Sequence, residues 1–494
     1  MLVNCHKDSY VLVHLEAVQH PELYILMKAT TLPPHQFNAS ILRAYDIRGI
    51  VNETLFEQDA YFIGRSFATL ASTRLKKEAL TICVGCDGRL SSPALKEQLI
   101  SGLVDSGVQV LDIGCGPTPM TYVSVKHLQA DAGIMITGSH NPPTHNGFKI
   151  VLGSKPFYGD DVMEIGRVCQ QGEFIEGQGG VQVKDVTNAY LEGLRSAFEP
   201  DTSSLKIVWD AGNGAAGQMM AEITKLLPGD HILLNETIDG TFPVHPPDPT
   251  VEKNLVQLKE EIIKQRADLG FAFDGDADRV VAMDNQGRMF AGDQLVAILA
   301  LGVLQQEPGA TIIVDVKTSQ VIIDFLASKG ANVVMWKTGH SLIKAKMLEI
   351  DASLAGEMSG HIFYKDYGRF DDGLYAAIKL FNFLASSEKS LSDYLDELPT
   401  SISTPEMRID VSEEQKFGLV ESIKESLDEE NVSYSDIDGV RVQLNDGWWL
   451  LRASNTQAAL ILRCEANNEQ SFDVVTSHCK AFLERVDGIP NVSL

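Results

Sequence analysis

Short apolar runs that end in Gly, Asp or Asn recur along the chain, with helical stretches between them. The clearest runs are ALTICVGCDGR, VQVLDIGCGPTP, AGIMITGSHN, LKIVWDAGNGAAG, LGFAFDGDADR, TIIVDVKTS, NVVMWKTGHS and SLAGEMSGH. Short, continuously apolar runs are typical of strands buried on both faces, and their alternation with helices predicts βαβ units. There are too many such strands for one sheet, so the pattern predicts several α/β domains of similar design.

Turn-rich segments mark the predicted domain boundaries. They are FEPDTSSL (198–205), VVAMDNQGRMFAG (280–292) and LPTSISTPE (398–406). These segments predict three α/β domains, over 38–200, 201–292 and 293–402. The range 403–494 differs, because the strand-like runs MRIDVS, GVRVQL, WWLLRASN and AALILRCEA precede one helix. We therefore predict a smaller α+β domain there.

Charge and composition narrow the possible partners. The 494 residues carry 67 Asp plus Glu against 41 Lys plus Arg, a net charge of −26, which repels nucleic acid and anionic membrane surfaces. The run LVAILALGVL (295–304) is too short to span a bilayer, and the beginning of the chain lacks a signal-peptide pattern. We expect a cytoplasmic protein without a nucleic-acid or membrane partner.

The cysteines indicate reduced thiols. Seven cysteines are an odd number spread over a long chain, which does not favour a disulfide framework. Cys83 and Cys86 have C-x-x-C spacing, yet they lie in a strand-like run without a second pair. Alternation along a strand predicts that the two thiols are buried on opposite faces.

Polar clusters follow nearly all of the predicted strands at their carboxyl ends, where α/β sheets bind ligands. Several domains are therefore expected to line one cleft. One cluster, TGSHNPPTHNGFKI (137–150), contains Ser139 but lacks the G-x-S-x-G elbow of serine hydrolases. If Ser139 is a nucleophile, groups other than a hydrolase relay must activate it; otherwise it is a loop hydroxyl that caps a turn.

A second cluster, FDGDADRV, places Asp274, Asp276 and Asp278 at alternating positions, followed by Arg279. Three carboxylates so close together repel one another unless a cation neutralises them, and ligands that are all oxygen favour Mg²⁺. The loop of an EF-hand is absent. The alternative interpretation is a solvated acidic turn that caps a helix.

Four motifs together resemble a known family. TGSHNPPTHNGFK, DGDADR, GEMSGH and RASNT occur in the order and at the separations of the signature loops of the α-D-phosphohexomutases. The similarity covers about residues 38–494 and is greatest to the bacterial phosphomannomutase/phosphoglucomutase group. It implies three similar α/β domains with mixed sheets, and a smaller α+β C-terminal domain, around a central cleft to which each domain contributes one loop.

The resemblance also implies an activity. A phosphoryl group moves between C6 and C1 of mannose or glucose through a phosphoserine enzyme and a hexose 1,6-bisphosphate, which also serves as activator. In this sequence Ser139 would carry the phosphoryl group, and Asp274, Asp276 and Asp278 would hold Mg²⁺ against it. Metal and cationic side chains can supply the positioning and charge neutralisation that phosphoryl transfer needs.

The remaining site residues are carried over from the family motifs. The predicted cleft residues are Tyr45, Arg48, His140, Lys149, Arg279, Lys317, His340 and His361. Glu357 and Ser359 are expected to hold two neighbouring sugar hydroxyls. The resemblance assigns the phosphate that does not react to the loop with Arg452, Ser454, Asn455 and Thr456; Arg offers a bidentate fork that suits such a group.

Several alternatives stay open at this stage. A phosphoglucosamine mutase is the second enzyme candidate, while a metal-dependent phosphatase or a non-catalytic sugar-phosphate-binding protein would use some of the same residues. The general base can be Arg48, Lys149, His140 or His340. We expect a monomer or a weak homo-oligomer. Residues 1–37 match nothing in the family and are predicted to form a mobile or loosely packed extension.

Overall fold

The computed structural model describes residues 35–200, 202–455, 457–490 and 492. Within these residues each of the predicted apolar runs contains a strand, whereas the eight-residue strand His145–Leu152 was not among the predicted runs. AGIMI and LGFAF, for example, are buried at every position. The strands gather into four sheets that follow one another along the chain.

The first sheet has strands in the order β1-β5-β4-β2-β3-β7, with β6 beside β5. Its strands are β1 Ile47–Ile50, β2 Thr81–Cys86, β3 Gln109–Cys115, β4 Ala132–Ile136, β5 His145–Leu152, β6 Lys155–Pro156 and β7 Gly180–Val183. The helices are α1 Glu57–Leu75, α2 Ser92–Asp105, α3 Thr118–His127, α4 Asp160–Gln171 and α5 Thr187–Arg195. Strands β2, β3, β4 and β7 are parallel, whereas β5 is antiparallel to both β1 and β4.

The second and third sheets repeat a smaller version of this design. The second sheet and its helices comprise β8 Lys206–Asp210, α6 Ala216–Thr224, β9 Asp230–Leu234, α7 Val256–Gln265, β10 Leu269–Phe273 and β11 Val280–Asp284. The third sheet and its helices comprise α8 Gly292–Gln306, β12 Thr311–Asp315, α9 Gln320–Ser328, β13 Asn332–Trp336, α10 His340–Ile350, β14 Leu354–Gly356, β15 Ile362–Tyr364, α11 Gly373–Ala385 and α12 Leu391–Glu397. Each has parallel strands and one antiparallel edge strand, β11 or β15.

The fourth sheet is antiparallel throughout. It contains β16 Ile402–Ser403, β17 Met407–Asp410, α13 Lys416–Glu429, β18 Val440–Leu444, β19 Gly447–Ala453, β20 Ala459–Ala466 and α14 Glu469–Leu483. Helices α13 and α14 pack with the sheet around Trp449, which is fully buried. Strand β16 begins at Ile402, the last residue of the predicted third range, and pairs with β20. The predicted α/β class, with mixed sheets and an α+β C-terminal part, is confirmed.

One connection recurs in all four sheets and accounts for the placement of the motifs. Each motif loop joins two antiparallel neighbours: 137–144 lies between β4 and β5, and 274–279 lies between β10 and β11. Residues 357–361 lie between β14 and β15, and 454–458 lie between β19 and β20. A short link between paired strands is held at both ends, so each loop is fixed by its sheet.

The predicted thiol arrangement is also confirmed. Cys83 and Cys86 are both buried in β2, and they pack in different core clusters, as opposite faces of one strand require. The Gly-rich stretch 210–217 is the turn between β8 and α6. Among the described residues, no helix combines the length and apolar composition needed to cross a bilayer.

The predicted extension is described only from residue 35 onward, so its first 34 positions lie outside the described residues. Residues 35–37 are not loosely packed, which corrects the prediction for that part. The His35 ring stacks on Phe62 with centroids 4.5 Å apart, and its Nε2 lies 2.6 Å from Asp59 Oδ1. Phe37 is buried in the first core.

These contacts lead to a prediction about truncation. We expect a chain that starts at Met27 to keep the thermal midpoint and the kcat/KM of the full chain, because His35 and Phe37 remain in place. A chain that starts at Asn38 loses both packed rings and is the matched comparison, with a lower midpoint expected. Thermal unfolding and turnover of both chains check this; a Met27 chain that is insoluble or inactive would contradict it.

Candidate active site

The loop with Ser139 is held in an unusual backbone conformation. Ser139 has a φ of 49°, which lies in the left-handed region. This conformation is unfavourable for any residue other than glycine, so the surrounding structure must stabilise it. The backbone N–H of Ser139 donates to Thr137 Oγ1 at 2.8 Å. Its Oγ donates to Asp274 Oδ2 at 2.8 Å and lies 3.2 Å from His140 Nδ1. The serine hydroxyl is therefore placed at the junction of the first and second sheets.

Arg89 stabilises this loop through hydrogen bonds to its backbone. The sequence analysis did not select this residue. Its buried guanidinium donates to the carbonyl oxygens of Ser139 (2.6 Å), Asn141 (2.6 Å), Pro142 (2.6 Å) and His145 (3.0 Å). Asp87 accepts from Arg89 Nε at 3.1 Å and from the N–H of Gly138 at 3.2 Å. An internal ion pair thus binds four carbonyl groups of this segment, one of which, that of Pro142, also accepts from the N–H of His145 at 3.0 Å.

The three aspartates of the second loop converge beside the serine. They are fully buried, and one oxygen from each lies within 4.8 Å of the others. Asp276 also accepts from Thr118 Oγ1 at 2.5 Å and from Lys149 Nζ at 2.6 Å, and Asp278 accepts from the same ammonium group. This group is not a solvated turn that caps a helix, which excludes the alternative interpretation.

Burial and mutual repulsion act together on the three aspartates. Burial raises the pKa of Asp274 well above its ordinary value, and the charges of Asp276 and Asp278 raise it further. Within the described residues, Asp276 Oδ1 and Asp278 Oδ1 are buried without a hydrogen-bond partner. Unpartnered carboxylate oxygens beside a serine hydroxyl match the ligand set that Mg²⁺ prefers, so these residues fit the ion.

Lys149 is fixed as a cation. Burial alone would lower its pKa, but the carboxylates of Asp276 and Asp278 outweigh burial and raise it. The opposite holds for His140, where burial lowers the pKa well below the ordinary value and Arg279 and Arg48 lower it further. Near neutral pH this imidazole is uncharged and has one nitrogen able to accept a proton.

Two histidines of the third domain form a stacked pair. The rings of His340 and His361 have centroids 5.4 Å apart, and their Nδ1 atoms lie 3.4 Å and 2.9 Å from Asp371 Oδ2. Arg279 Nε donates to His361 Nε2 at 3.0 Å. Because Nε2 accepts this bond, the His361 proton belongs on Nδ1, toward Asp371. Lys344 Nζ donates to the other oxygen of Asp371 at 2.9 Å.

The third loop presents a carboxylate and a hydroxyl. Glu357 accepts from the N–H of Gly339 at 2.5 Å and from Ser359 Oγ at 3.0 Å. Gly339 has φ 135° and lies so close to the ring of Tyr45 that a Cβ there would clash with it. This glycine is required by the close approach of the first and third domains.

The fourth loop brings a partly unpaired arginine. Arg452 Nε donates to Asp438 Oδ2 at 2.8 Å, while its Nη2 is buried without a partner among the described residues. Asn455 Nδ2 donates to the hydroxyl of Tyr45, which itself donates to the carbonyl of Thr338 at 2.5 Å. Thr456, also predicted for this loop, lies outside the described residues.

A cleft of about 620 Å³ connects these loops. It is lined by the predicted residues Tyr45, Arg48, His140, Arg279, Lys317, His340, Glu357, Ser359, His361, Arg452, Ser454 and Asn455. Ser139, Lys149 and the three aspartates are buried and do not line this cleft directly. Asp46, Asp248, Glu406 and Arg463 also line the cleft, although the sequence analysis did not select them.

Cations on the cleft wall are partly held by carboxylates. Arg48 donates to Asn141 Oδ1 at 2.9 Å and to Asp46, and Lys317 Nζ donates to Glu406 Oε2 at 2.9 Å. These pairs place arginine and lysine side chains at the wall of the cleft.

A cleft built from four loops on four sheets, with a serine beside three aspartates, defines a phosphoryl-transfer site of the phosphohexomutase class. The family profiles agree. Phosphoglucomutase/phosphomannomutase alpha/beta/alpha domains I, II and III match residues 39–175, 188–287 and 291–402, and the C-terminal domain matches 406–475. The chain belongs to the phosphoglucomutase/phosphomannomutase family.

Individual relatives are similar over nearly their whole length. Phosphomannomutase/phosphoglucomutase from Pseudomonas aeruginosa is 41% identical over 93% of this chain and 98% of its own. Phosphoglucomutase from Neisseria gonorrhoeae is 39% identical over 90% and 96%. The crystal structure of a phosphoglucomutase/phosphomannomutase family protein from Burkholderia thailandensis superposes with a TM-score of 0.85, at 36% identity, covering 92% of this chain and 99% of its own.

Proposed function

We propose that the chain interconverts hexose 6-phosphate and hexose 1-phosphate, for mannose, glucose or both, by way of phospho-Ser139 and a hexose 1,6-bisphosphate. The observation that carries this proposal is the 2.8 Å hydrogen bond between Ser139 Oγ and Asp274 Oδ2, which joins the serine to the acidic loop. The names of the relatives do not favour the phosphoglucosamine alternative.

Ser139, Asp274, Asp276 and Asp278 are the proposed holders of Mg²⁺. When bound, the ion neutralises charge on the phosphoryl group and its serine oxygen. Lys149 contributes a permanent positive charge at the same place, since its ammonium bonds to Asp276 at 2.6 Å. The buried loop, clamped by Arg89, excludes water from the serine side, which protects the phosphoserine against hydrolysis.

The sugar is proposed to turn over between two phosphate positions. The phosphate at the reacting end meets Ser139, and the other phosphate meets the unpaired Nη2 of Arg452. Glu357 and Ser359 are proposed to bind two neighbouring hydroxyls, with the carboxylate accepting and the serine donating. Since both groups line the same cleft as Arg452, we propose that the same contacts serve either orientation of the bisphosphate.

An uncharged imidazole is the proposed proton acceptor for the attacking sugar hydroxyl. Lys149 is held protonated by two carboxylates, and an arginine keeps its proton in proteins, so neither Lys149 nor Arg48 is suited to this task. Burial lowers the pKa of His340, and Lys344 lowers it further, which leaves a neutral base in the cleft. We propose His340 as the group that takes up this proton, with Asp371 as the group that positions its ring and that of His361.

Asp371→Asn tests the positioning role. Asparagine keeps the volume but removes the charge that orients two imidazoles, so we expect kcat to fall by about 100-fold, the order of a general-base contribution, with KM little changed. Asp366→Asn is the matched control, because Asp366 pairs with Lys379 at an exposed position of the same domain. Steady-state kinetics check this, and an unchanged kcat in a folded variant would contradict it.

Arg452→Ala tests the phosphate grip. The contact between Arg452 and the phosphate exists in the bound substrate as well as in the transition state. Its loss is expected to weaken binding by about 1.5 to 3 kcal/mol, which appears mainly as a higher KM. The control is Arg485→Ala, since Arg485 pairs with Glu430 at an exposed site. If KM for hexose phosphate stayed at the wild-type value, the fourth loop would not bind phosphate.

The activity itself is tested with purified protein, Mg²⁺ and a trace of hexose 1,6-bisphosphate as activator. Mannose 1-phosphate, glucose 1-phosphate and glucosamine 1-phosphate are assayed side by side, with inorganic phosphate measured in the same samples. We expect 6-phosphate product from mannose or glucose without net phosphate release. Stoichiometric phosphate release would identify a phosphatase, and no turnover of any sugar would identify a binding protein.

We further propose a cytoplasmic enzyme that is a monomer or a weak homo-oligomer.

A further inference from the structure

Two cysteines outside the active site face each other on neighbouring strands. Cys86 ends β2, Cys115 ends β3, and the parallel register places these two residues side by side. Paired strands lie roughly 4.8 Å apart, which is within the Cα separation of roughly 4.4 to 6.8 Å that a disulfide spans. The Cys86 thiol donates to the carbonyl oxygen of Gly114 at 3.7 Å, directly beside Cys115.

The two thiols differ in reactivity. Cys115 is exposed and Cys86 is buried. The neighbouring Cys86 lowers the pKa of the Cys115 thiol, whereas Cys115 and burial together raise the pKa of Cys86. The backbone beside Cys115 is open, since a Cβ at Gly114 would meet nothing within 4 Å. Low pKa and access are the properties of an oxidisable thiol.

We propose that Cys86 and Cys115 form a reversible disulfide when the protein meets a hydroperoxide, and that this bond slows phosphoryl transfer. The Cys115 thiolate attacks one oxygen of hydrogen peroxide and the O–O bond breaks, giving a sulfenic acid and hydroxide, which takes up the proton lost by the Cys115 thiol and becomes water. The sulfur of Cys86 then attacks the sulfenic sulfur, and its proton leaves with the hydroxyl group as a second water. Two thiols lose two electrons in all, and hydrogen peroxide takes them up.

The strand ends that carry the two cysteines also support the active site. Asp87 follows Cys86 directly, and it holds Arg89 and the N–H of Gly138 in the serine loop. Cys115 precedes Thr118, whose N–H and Oγ1 donate to Asp276 at 2.8 and 2.5 Å. A covalent bond between the strand ends therefore changes the support of both the serine loop and the acidic loop.

A second cysteine pair provides an internal comparison. Cys464 and Cys479 belong to the same core cluster, and both are fully buried in the fourth domain. Cys83 lies in β2 as well, in the core on the other side of the sheet. We expect a hydroperoxide to leave these three thiols unchanged, because none is accessible.

The experiment treats the folded full-length chain with hydrogen peroxide, alkylates free thiols after denaturation and maps the peptides by mass spectrometry. We expect a cross-linked peptide pair that contains Cys86 and Cys115 and lacks two hydrogen atoms, and its reversal by dithiothreitol. This arm does not depend on the proposed activity. Cys115 found only as sulfinic acid, or a cross-link between other cysteines, would overturn the proposed site.

The second arm measures turnover before and after oxidation. We expect kcat to fall by about 10- to 100-fold, as for a small misplacement at a reacting centre, and to recover on reduction. Cys115→Ser and Cys86→Ala are expected to keep the untreated activity and to resist peroxide, whereas Cys83→Ala should respond like the wild type. A cross-link without loss of kcat, or equal loss in Cys115→Ser, would overturn the proposed link to catalysis.

Discussion

Ser139→Ala is expected to lower kcat by roughly 10⁴-fold or more, because it removes the atom that carries the phosphoryl group. Hexose phosphate should still bind with nearly the wild-type Kd, since Arg452, Glu357 and Ser359 are unchanged. Intact-mass analysis of the wild type is expected to show a partly phosphorylated protein, with the added mass on the peptide that contains Ser139. The variant should lack that mass.

A matched serine separates this effect from general damage. Ser101 lies at an exposed position on α2 of the same domain and donates only to a helix carbonyl. Ser101→Ala should therefore keep both the modification and the turnover. Phosphate found only on another serine, or a Ser139→Ala protein with substantial kcat, would contradict the assignment of the phosphoryl carrier.

Asp276→Asn is expected to have the next largest effect. It removes one charge from the acidic group while Thr118 and Lys149 remain as neighbours, so the fold should persist. We expect kcat to fall by about 100-fold and the Mg²⁺ concentration for half-maximal activity to rise by about 10- to 100-fold, as when the coordination of a metal site is weakened. Titration of activity with Mg²⁺ measures both quantities.

The control for this variant is Asp239→Asn. Asp239 belongs to the same domain but lies in a surface turn, where it accepts from Thr241 at 2.7 Å. Its replacement should leave the Mg²⁺ dependence unchanged. If Asp276→Asn also kept the wild-type dependence, the acidic loop would not be the metal site.

The parts of the site that could be predicted were the residues inside compact motifs. Strands such as β4 and β10 are apolar at every position, so their ends, and the loops with Ser139 and Asp274, were visible in the sequence. The parallel strands and helices are equally regular. The same local signals predicted that Cys83 and Cys86 lie on opposite sides of one sheet.

The residues that hold the motifs in place could not be predicted in this way. Arg89 follows a strand in an ordinary Asp-Gly-Arg turn, and its partners lie about fifty positions further along the chain. Asp371 stands next to Asp372, which caps α11 by accepting from Tyr375 N at 3.0 Å, so it reads as part of a helix start. Only the fold brings its carboxylate to two histidines from separate elements.

The same reasoning explains the missed thiol pair. Cys86 and Cys115 belong to different strands, and no local pattern shows that β2 and β3 are neighbours in register. Sequence periodicity gives the face of a residue on its own strand, but the neighbour across the sheet depends on strand order. Strand order in turn depends on how the helices between the strands cross the sheet.

The most direct test follows the phosphoryl group itself. The protein is loaded with hexose 1,6-bisphosphate that carries an isotopic label in its phosphoryl groups, freed of excess ligand and chased with unlabelled hexose 6-phosphate in a rapid-quench apparatus. We predict that the label is first found on the peptide containing Ser139 and then appears in hexose bisphosphate at a rate no slower than kcat. Label that remains on the protein, lies on another residue or leaves as inorganic phosphate would contradict transfer through Ser139.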